Sequence, residues 1–266
     1  EVGTATITDT HEAQARYDLV IAQEFAAQNE LEIRRAALQQ IVGRPVVDLA
    51  PLRTGVKLTP PTPTQVNEWV EAAQQQNFGV VAQDLVHQIA QRQIKLNRAG
   101  HYPTVDLVAR RNHTDVRTQS TLPGNTDTVA LNWNIPLFSG FAVTSRVREA
   151  IALEDQERAE LENTKRVAAL NARQAFLGVN AGLAQVRALE AAELSSKSAL
   201  DSNRLGYQVG VRINIDVLNA QQQLFETRRD LARARYETIL NGLRLKSAAG
   251  SLGEEDVSQV NALLGR

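Results

Sequence analysis

The sequence predicts a mainly α fold of long antiparallel coiled-coil helices, interrupted once by a pair of strands. Three observations carry this. All eight prolines lie at or before Pro136, so from Phe141 onward nothing forces a helix to stop. Alanine, glutamine and charged residues dominate while aromatics are only 5%, a composition suited to long helices in close contact rather than to a thick core. Thr128 to Leu137 alternates apolar and polar residues with a period of two, which a strand can use and a helix cannot.

The bulk properties exclude several classes. A chain of 266 residues with 43% hydrophobic residues makes one large or two small domains. A net charge of -1 leaves no basic stripe, so nucleic acid is not an expected partner. Without cysteine there is no disulfide framework, thiolate metal site or thiol nucleophile. His11, His87, His101 and His113 lack metal-ligand spacing and read as surface or interface residues. Neither a nucleophile elbow nor a phosphate loop occurs, so no enzyme, cofactor or metal is expected. No apolar run approaches the roughly 20 residues of a membrane-spanning helix. A bilayer would have to be crossed by strands. Methionine is absent even at position 1, which reads as a processed chain or a fragment.

In chain order, residues 1–43 read as a helix that Thr6 or Thr8 caps, with Asp9 in its first turn. Its apolar positions include Tyr17, Val20, Leu31 and Leu38, and Gly43 with Pro45 ends it. Residues 44–78 hold Pro45, Pro51, Pro60, Pro61 and Pro63, an extended connection, then a short helix from Gln65 to Gln76 that Thr64 caps and that buries Trp69 and Val70. Residues 79–100 carry a helix from about Val80 to Ala99. Residues 101–140 hold two strands, Tyr102 to Arg110 and Thr128 to Leu137. Each is about ten residues, as a tilted bilayer strand requires. The alternation fits equally a water-filled barrel, with apolar residues outside and Asn132 and Asn134 inside, or one hairpin of a soluble sheet.

Residues 141–250 form a helix pair. The first helix runs to about Leu205, with Phe176, Val179, Leu183 and Val186 as a coiled-coil seam. Gly206 and Gly210 break it, and 206–214 form a tip. The second helix covers Ile215 to Ala248, with Val217, Leu224 and Leu231 seven residues apart. Residues 251–266 close the chain with an amphipathic helix, Glu254 to Leu264.

The tip has a counterpart. Val2-Gly3, Asp9, Ala13-Gln14, Leu38 and Gly43 repeat as Val209-Gly210, Asp216, Ala220-Gln221, Leu245 and Gly250, at a constant offset of 207. Shared punctuation favours duplication over chance similarity of two alanine-rich helices.

Gly100-His101-Tyr102-Pro103, Ile135-Pro136-Leu137-Phe138-Ser139-Gly140, Tyr207-Gln208-Val209-Gly210-Val211-Arg212 and Asp216-Val217-Leu218-Asn219-Ala220 together resemble the TolC-type outer-membrane channel family. The resemblance covers essentially the whole chain. It implies an α-barrel whose long coiled-coil helices line a periplasmic tunnel, with the two strands contributing to a transmembrane β-barrel in the outer membrane of a Gram-negative bacterium. It implies a homotrimer that meets a periplasmic adaptor (membrane fusion protein), an inner-membrane transporter and outer-membrane lipid. Residues 44–78 and 251–266 then look like equatorial parts. Only two of the family's four strands per chain are present and its first long helix is absent. A signal peptide, two strands and a long helix are expected upstream.

The resemblance also makes the tip a gate. Tyr207 and Arg212 look like the family's restraining tyrosine and arginine, Thr8 and Asp9 like their partners on the neighbouring helix pair, and Asp216 like the inward carboxylate that forms a ring of three. At Asn219, where relatives often carry a second aspartate, one acidic ring is lost. Three carboxylates around a narrow pore attract cations and raise one another's pKa. The residues alone also allow a plainer role: Asp9 and Asp216 serve their helix dipoles, Arg212 is a solvated tip charge, and Tyr207 covers the coiled-coil end. Arg110, Arg111, His113 and Arg117 suggest either a lipopolysaccharide-phosphate contact or a solvated loop.

The expected function is therefore a passive exit duct for a tripartite efflux pump or a type I secretion system. The alternative is a soluble periplasmic coiled-coil adaptor. An adaptor would carry a lipoyl-like or barrel domain rich in glycine and short strands, and no such stretch is found.

Overall fold

The computed structural model describes residues 7–45, 48–53, 55–114 and 124–265. The elements are α1 (Ile7–Val42), α2 (Val66–Gln76), α3 (Phe78–Ala99), β1 (Thr104–Thr114), β2 (Gly124–Asn134), α4 (Ala142–Gln208), α5 (Asn214–Ala248) and α6 (Glu254–Asn261). Two compact units are formed, one from Glu1–Glu71 with Leu170–Arg266, the other from Ala72–Ala169.

The first unit is built on an antiparallel coiled coil of α4 and α5. On α5 the buried residues are Leu224, Thr227, Leu231, Ala234, Thr238 and Leu245, a heptad run in steps of three and four up to Thr238 and then a full seven to Leu245. On α4 the expected seam is buried as read: Phe176, Val179, Leu183 and Val186 all lie in the core, with Ala172 below them. Val186 packs with Leu231 and Ala234 in one cluster. Each buried Leu contributes about 1.5–3 kcal/mol of transfer free energy. Arg228 pairs with Glu193 at 2.8 Å and Arg235 with Glu190 at 2.7 Å along the flanks of the seam.

Small residues set how close the two helices come. A Cβ added at Gly182 would overlap the Thr238 hydroxyl and lie 3.2 Å from its Cβ. One turn away, a Cβ at Gly178 would lie 3.0 Å from Asn241 Nδ2. The hydroxyl of Thr238 is satisfied within its own helix, donating to the Ala234 carbonyl at 2.7 Å.

At the far end of α5, Gly250 closes the helix with a positive φ of 73°. The Ser251 and Gly250 amides donate to the Lys246 and Ser247 carbonyls, a Schellman arrangement. Helix α6 follows, ending at Asn261 rather than Leu264 because the chain there turns into a short bridge, Leu52 opposite Leu264. Arg53 reinforces it, its amide donating to the Leu263 carbonyl at 3.0 Å and its Nε to the Leu264 carbonyl at 2.8 Å. Lys246 pairs with Asp256 across this junction. That pairing and a hydrogen bond from the Gly253 amide hold the Asp256 carboxyl below the usual carboxylate range. A recess of about 400 Å³ opens beside the pair, with Trp69, Pro60 and Val260 in its wall. Trp69 is buried and donates to the Pro63 carbonyl at 2.8 Å.

Helix α1 touches α5 and buries none of its described residues. The expected apolar positions Tyr17, Val20 and Leu31 are exposed in the single chain, as is Phe25. A 36-residue helix owes little to propensity alone, so such a surface requires cover.

In the second unit, α3 begins two residues earlier than the sequence suggests. Asn77 caps it, its side chain accepting from the Gly79 and Val80 amides at 2.9 and 3.4 Å. Helix α3 packs on the start of α4 through polar contacts. His87 bonds Glu154 at 2.7 Å, each about 14% exposed, and Gln83 donates to Glu157 at 2.7 Å. Gly100 meets Val143 where the strands leave the helices, a Cβ there lying 3.2 Å from Cγ1.

Strands β1 and β2 pair antiparallel over 11 residues each, from Thr104 opposite Asn134 to Thr114 opposite Gly124. Both lie further from the helices than expected. Pro103 and Pro136 lack an amide hydrogen and sit just outside the ladder, so pairing starts inside them and extends toward the hairpin loop.

Candidate functional site

Two features bear on function: the α4–α5 tip, in the first unit, and the hairpin, in the second.

The tip is a Schellman turn. Helix α4 continues through Gly206 to Gln208, so Gly206 does not break it. The break is at Gly210, whose φ is 79°. The Val211 amide donates to the Gly206 carbonyl at 2.9 Å and the Gly210 amide to that of Tyr207 at 3.1 Å. Gly206 has a different role. A Cβ there would lie 2.6 Å from Arg212 Cγ, so its absence lets Arg212 fold back over the end of α4. Helix α5 then starts at Asn214 behind the extended Ile213, which gives no side-chain cap. Asp216 sits in the first turn, where its charge meets exposed amides and the helix dipole.

The structure brings Arg212 and Asp216 together, Nη1 to Oδ2 at 3.6 Å. This is an exposed pair one turn apart, worth a few tenths of a kcal/mol, about the value of a surface pair. Its effect is to orient rather than to stabilise. Tyr207 lies on the last turn of α4, 41% exposed. Thr8 and Asp9 lie in the first turn of α1. The other half of the repeat, Val2-Gly3, and the alternative cap Thr6 fall outside the described residues.

Asn219 has a partner that the sequence did not point to. Arg16 on α1 donates through Nη2 to Asn219 Oδ1 at 2.5 Å and through Nη1 to Gln222 Oε1 at 2.8 Å. The 207-residue offset aligns Arg16 with Gln223, so the repeat gave no hint of this contact. A weaker signal was present: Asn219 and Gln222 are three apart, on one helical face, and present two amide acceptors to one donor fork.

The hairpin has two chemically distinct faces. Val105 opposite Trp133, Leu107 opposite Leu131 and Ala109 opposite Val129 share one face, and their large side chains are exposed. Asp106 opposite Asn132, Val108 opposite Ala130 and Arg110 opposite Thr128 share the other. The apolar band ends toward the loop at Arg111 and Asp127, paired at 3.1 Å, and at His113, bonded to Asn125. Toward the helices, Tyr102 and Phe138 add exposed aromatic rings. The supposed basic cluster is thereby divided: Arg110 lies on the polar face, while Arg111 is paired on the other. Arg117 is outside the described residues.

Among the described residues no helix is long and apolar enough to cross a membrane, and no group of His, Asp and Glu could hold a metal ion.

Comparison with known proteins agrees with this architecture. Residues 69–251 match the family described as Outer membrane efflux protein. The chain is 35% identical over 272 residues to outer membrane protein TolC of Vibrio cholerae serotype O1, covering 98% of this chain and 61% of that protein. It is 32% identical over 267 residues to the proteases secretion protein PrtF of Dickeya chrysanthemi, covering 98% of this chain and 57% of the relative. Its fold matches the crystal structure of the outer membrane protein VceC from Vibrio cholerae with a TM-score of 0.73 at 21% identity, over 92% of this chain and 58% of that one. The chain thus spans roughly three-fifths of the proteins it matches.

Proposed function

The chain belongs to the outer membrane efflux protein family and is an outer-membrane protein, and we propose that it forms part of a gated, passive exit duct for a tripartite efflux pump or a type I secretion system. The single observation that carries this reading is the hairpin register. It sorts Val105, Leu107, Val129, Leu131 and Trp133 onto one exposed face and Asp106 and Asn132 onto the opposite one. Faces of this kind suit lipid on one side and water on the other, once the strands are part of a closed barrel. The names of its relatives, an outer membrane protein and a protease secretion protein, support a transport role and not a catalytic one.

The duct works as a homotrimer in this reading. Two strands cannot satisfy their outer edges alone, and in a bilayer every edge must be paired, so barrel closure needs further strands. The exposed apolar residues of α1 are covered by neighbouring helices in the same assembly. The tip closes the pore: Asp216 from three chains forms an acidic constriction, Arg212 steadies that carboxylate, and Tyr207, Thr8 and Asp9 restrain the neighbouring helix ends. A periplasmic adaptor and an inner-membrane transporter dock to open it. The adaptor alternative has no such use for a two-faced hairpin.

The test is electrical. The full-length protein, purified in detergent as a trimer, is inserted into planar bilayers and compared with Asp216→Ala and Arg212→Ser. The first variant is expected to lose cation preference and the second to leak more. Unchanged ion preference and conductance in both would remove the gate assignment.

A further inference from the structure

We propose that Arg16 is a further determinant of the pore, a latch between α1 and α5 that also sets the charge of the level next to Asp216. The proposal rests on the reading of the tip as a gate and deepens it.

Helices α1 and α5 touch, and they begin at Ile7 and Asn214. Arg16 lies on α1, half-buried. Its two terminal nitrogens are engaged by different residues of α5, Asn219 at 2.5 Å and Gln222 at 2.8 Å. A planar fork held at both prongs has little freedom to reorient. Any movement that separates α5 from α1 must break both charge-assisted bonds.

The charge argument is separate from the latch argument. Both acceptors are neutral amides, so neither cancels the positive charge of the guanidinium. Asn219 follows Asp216 by three residues on the same helix, which places it on an adjoining part of the same face, about 4.5 Å further along the axis. If Asp216 lines the pore, Asn219 lines it as well, and Arg16 holds a cation against that wall. The constriction then carries a carboxylate level followed by a guanidinium level. The two oppose each other, and net cation preference is weaker than Asp216 alone would give.

The experiment uses the full-length trimer in planar bilayers under a KCl gradient, with reversal potential and closed-state conductance as readouts. Arg16→Gln is expected to shift the reversal potential toward stronger cation preference. It should also raise closed-state conductance about 1.5- to 5-fold, as expected for the loss of a solvent-accessible charged contact. Arg16→Lys keeps the charge but cannot span both acceptors, so it should raise conductance and leave ion preference as in the wild type. Asn219→Asp, which neutralises the guanidinium without removing it, should strengthen cation preference and not conductance. Asp216→Asn serves as the control for the gate itself. If Asp216→Asn weakens cation preference while Arg16→Gln changes neither readout, the role of Arg16 is refuted and the gate stands, whatever Asn219→Asp does. If none of the variants, Asp216→Asn included, changes either readout, both the gate and the role of Arg16 are refuted.

Discussion

Gly182 on α4 lies directly against Thr238 on α5, with no room between them for a methyl group. Thr238 is buried, and its hydroxyl is held to the Ala234 carbonyl, so it cannot swing aside without losing that bond. Gly178 faces Asn241, a longer side chain able to shift. The contact between the two long helices is therefore tightest at one position.

Gly182→Ala is expected to destabilise the α4–α5 coiled coil by about 1–3 kcal/mol, the usual cost of overpacking. Gly178→Ala should cost less. Adding Thr238→Ala to Gly182→Ala should recover much of the loss. Chemical denaturation of the three variants measures this; equal effects at 178 and 182, or no recovery in the double variant, would contradict the packing argument.

The hairpin makes an asymmetric prediction. Leu131→Arg places a charge on the apolar face and should cost about 2–4 kcal/mol for insertion if near the bilayer midplane. Asn132→Arg, one residue along and on the opposite face, should be tolerated. Heat-modifiable migration and outer-membrane fractionation of the full-length protein distinguish the two. Similar behaviour of both variants would argue against a lipid-facing band.

The junction of α5 and α6 predicts acid sensitivity. The Asp256 carboxyl lies below its ordinary value because of Lys246 and the Gly253 amide. A depressed carboxylate contributes stability that is complete above its unfolded pKa, about 3.9, and disappears as pH falls through the lower folded value. The recess containing Trp69 should therefore loosen below about pH 4. In a Trp133→Phe background, where Trp69 is the remaining tryptophan, its emission should shift on acidification. Asp256→Asn should remove that pH dependence. An identical titration in both proteins would show that the pair does not control this junction.

Much of the fold was legible in the sequence because it is local and periodic. The seam of Phe176, Val179, Leu183 and Val186 follows from spacing, and the alternation around Trp133 follows from the pleat. Element ends were less legible. Gly206 looked like a helix breaker, yet the helix ends at Gly210, where backbone hydrogen bonds and a positive φ close the turn. The apolar period of α3 becomes regular only near Val80, whereas the Asn77 side chain, accepting from the Gly79 and Val80 amides, sets the helix start at Phe78.

The sequence by itself determined the long paired helices, the two-faced strands, the repeated punctuation of the tip and the resemblance to an outer-membrane channel. Each is encoded in neighbouring residues, at spacings of two, three, four or seven. Only the tertiary structure decided which side chains meet across elements: Arg16 with Asn219, Gly182 with Thr238, Lys246 with Asp256. Those contacts depend on how two helices are rotated and shifted against one another. Side-chain volumes and hydrogen bonds summed along the whole interface set that register, and no single stretch of sequence contains it.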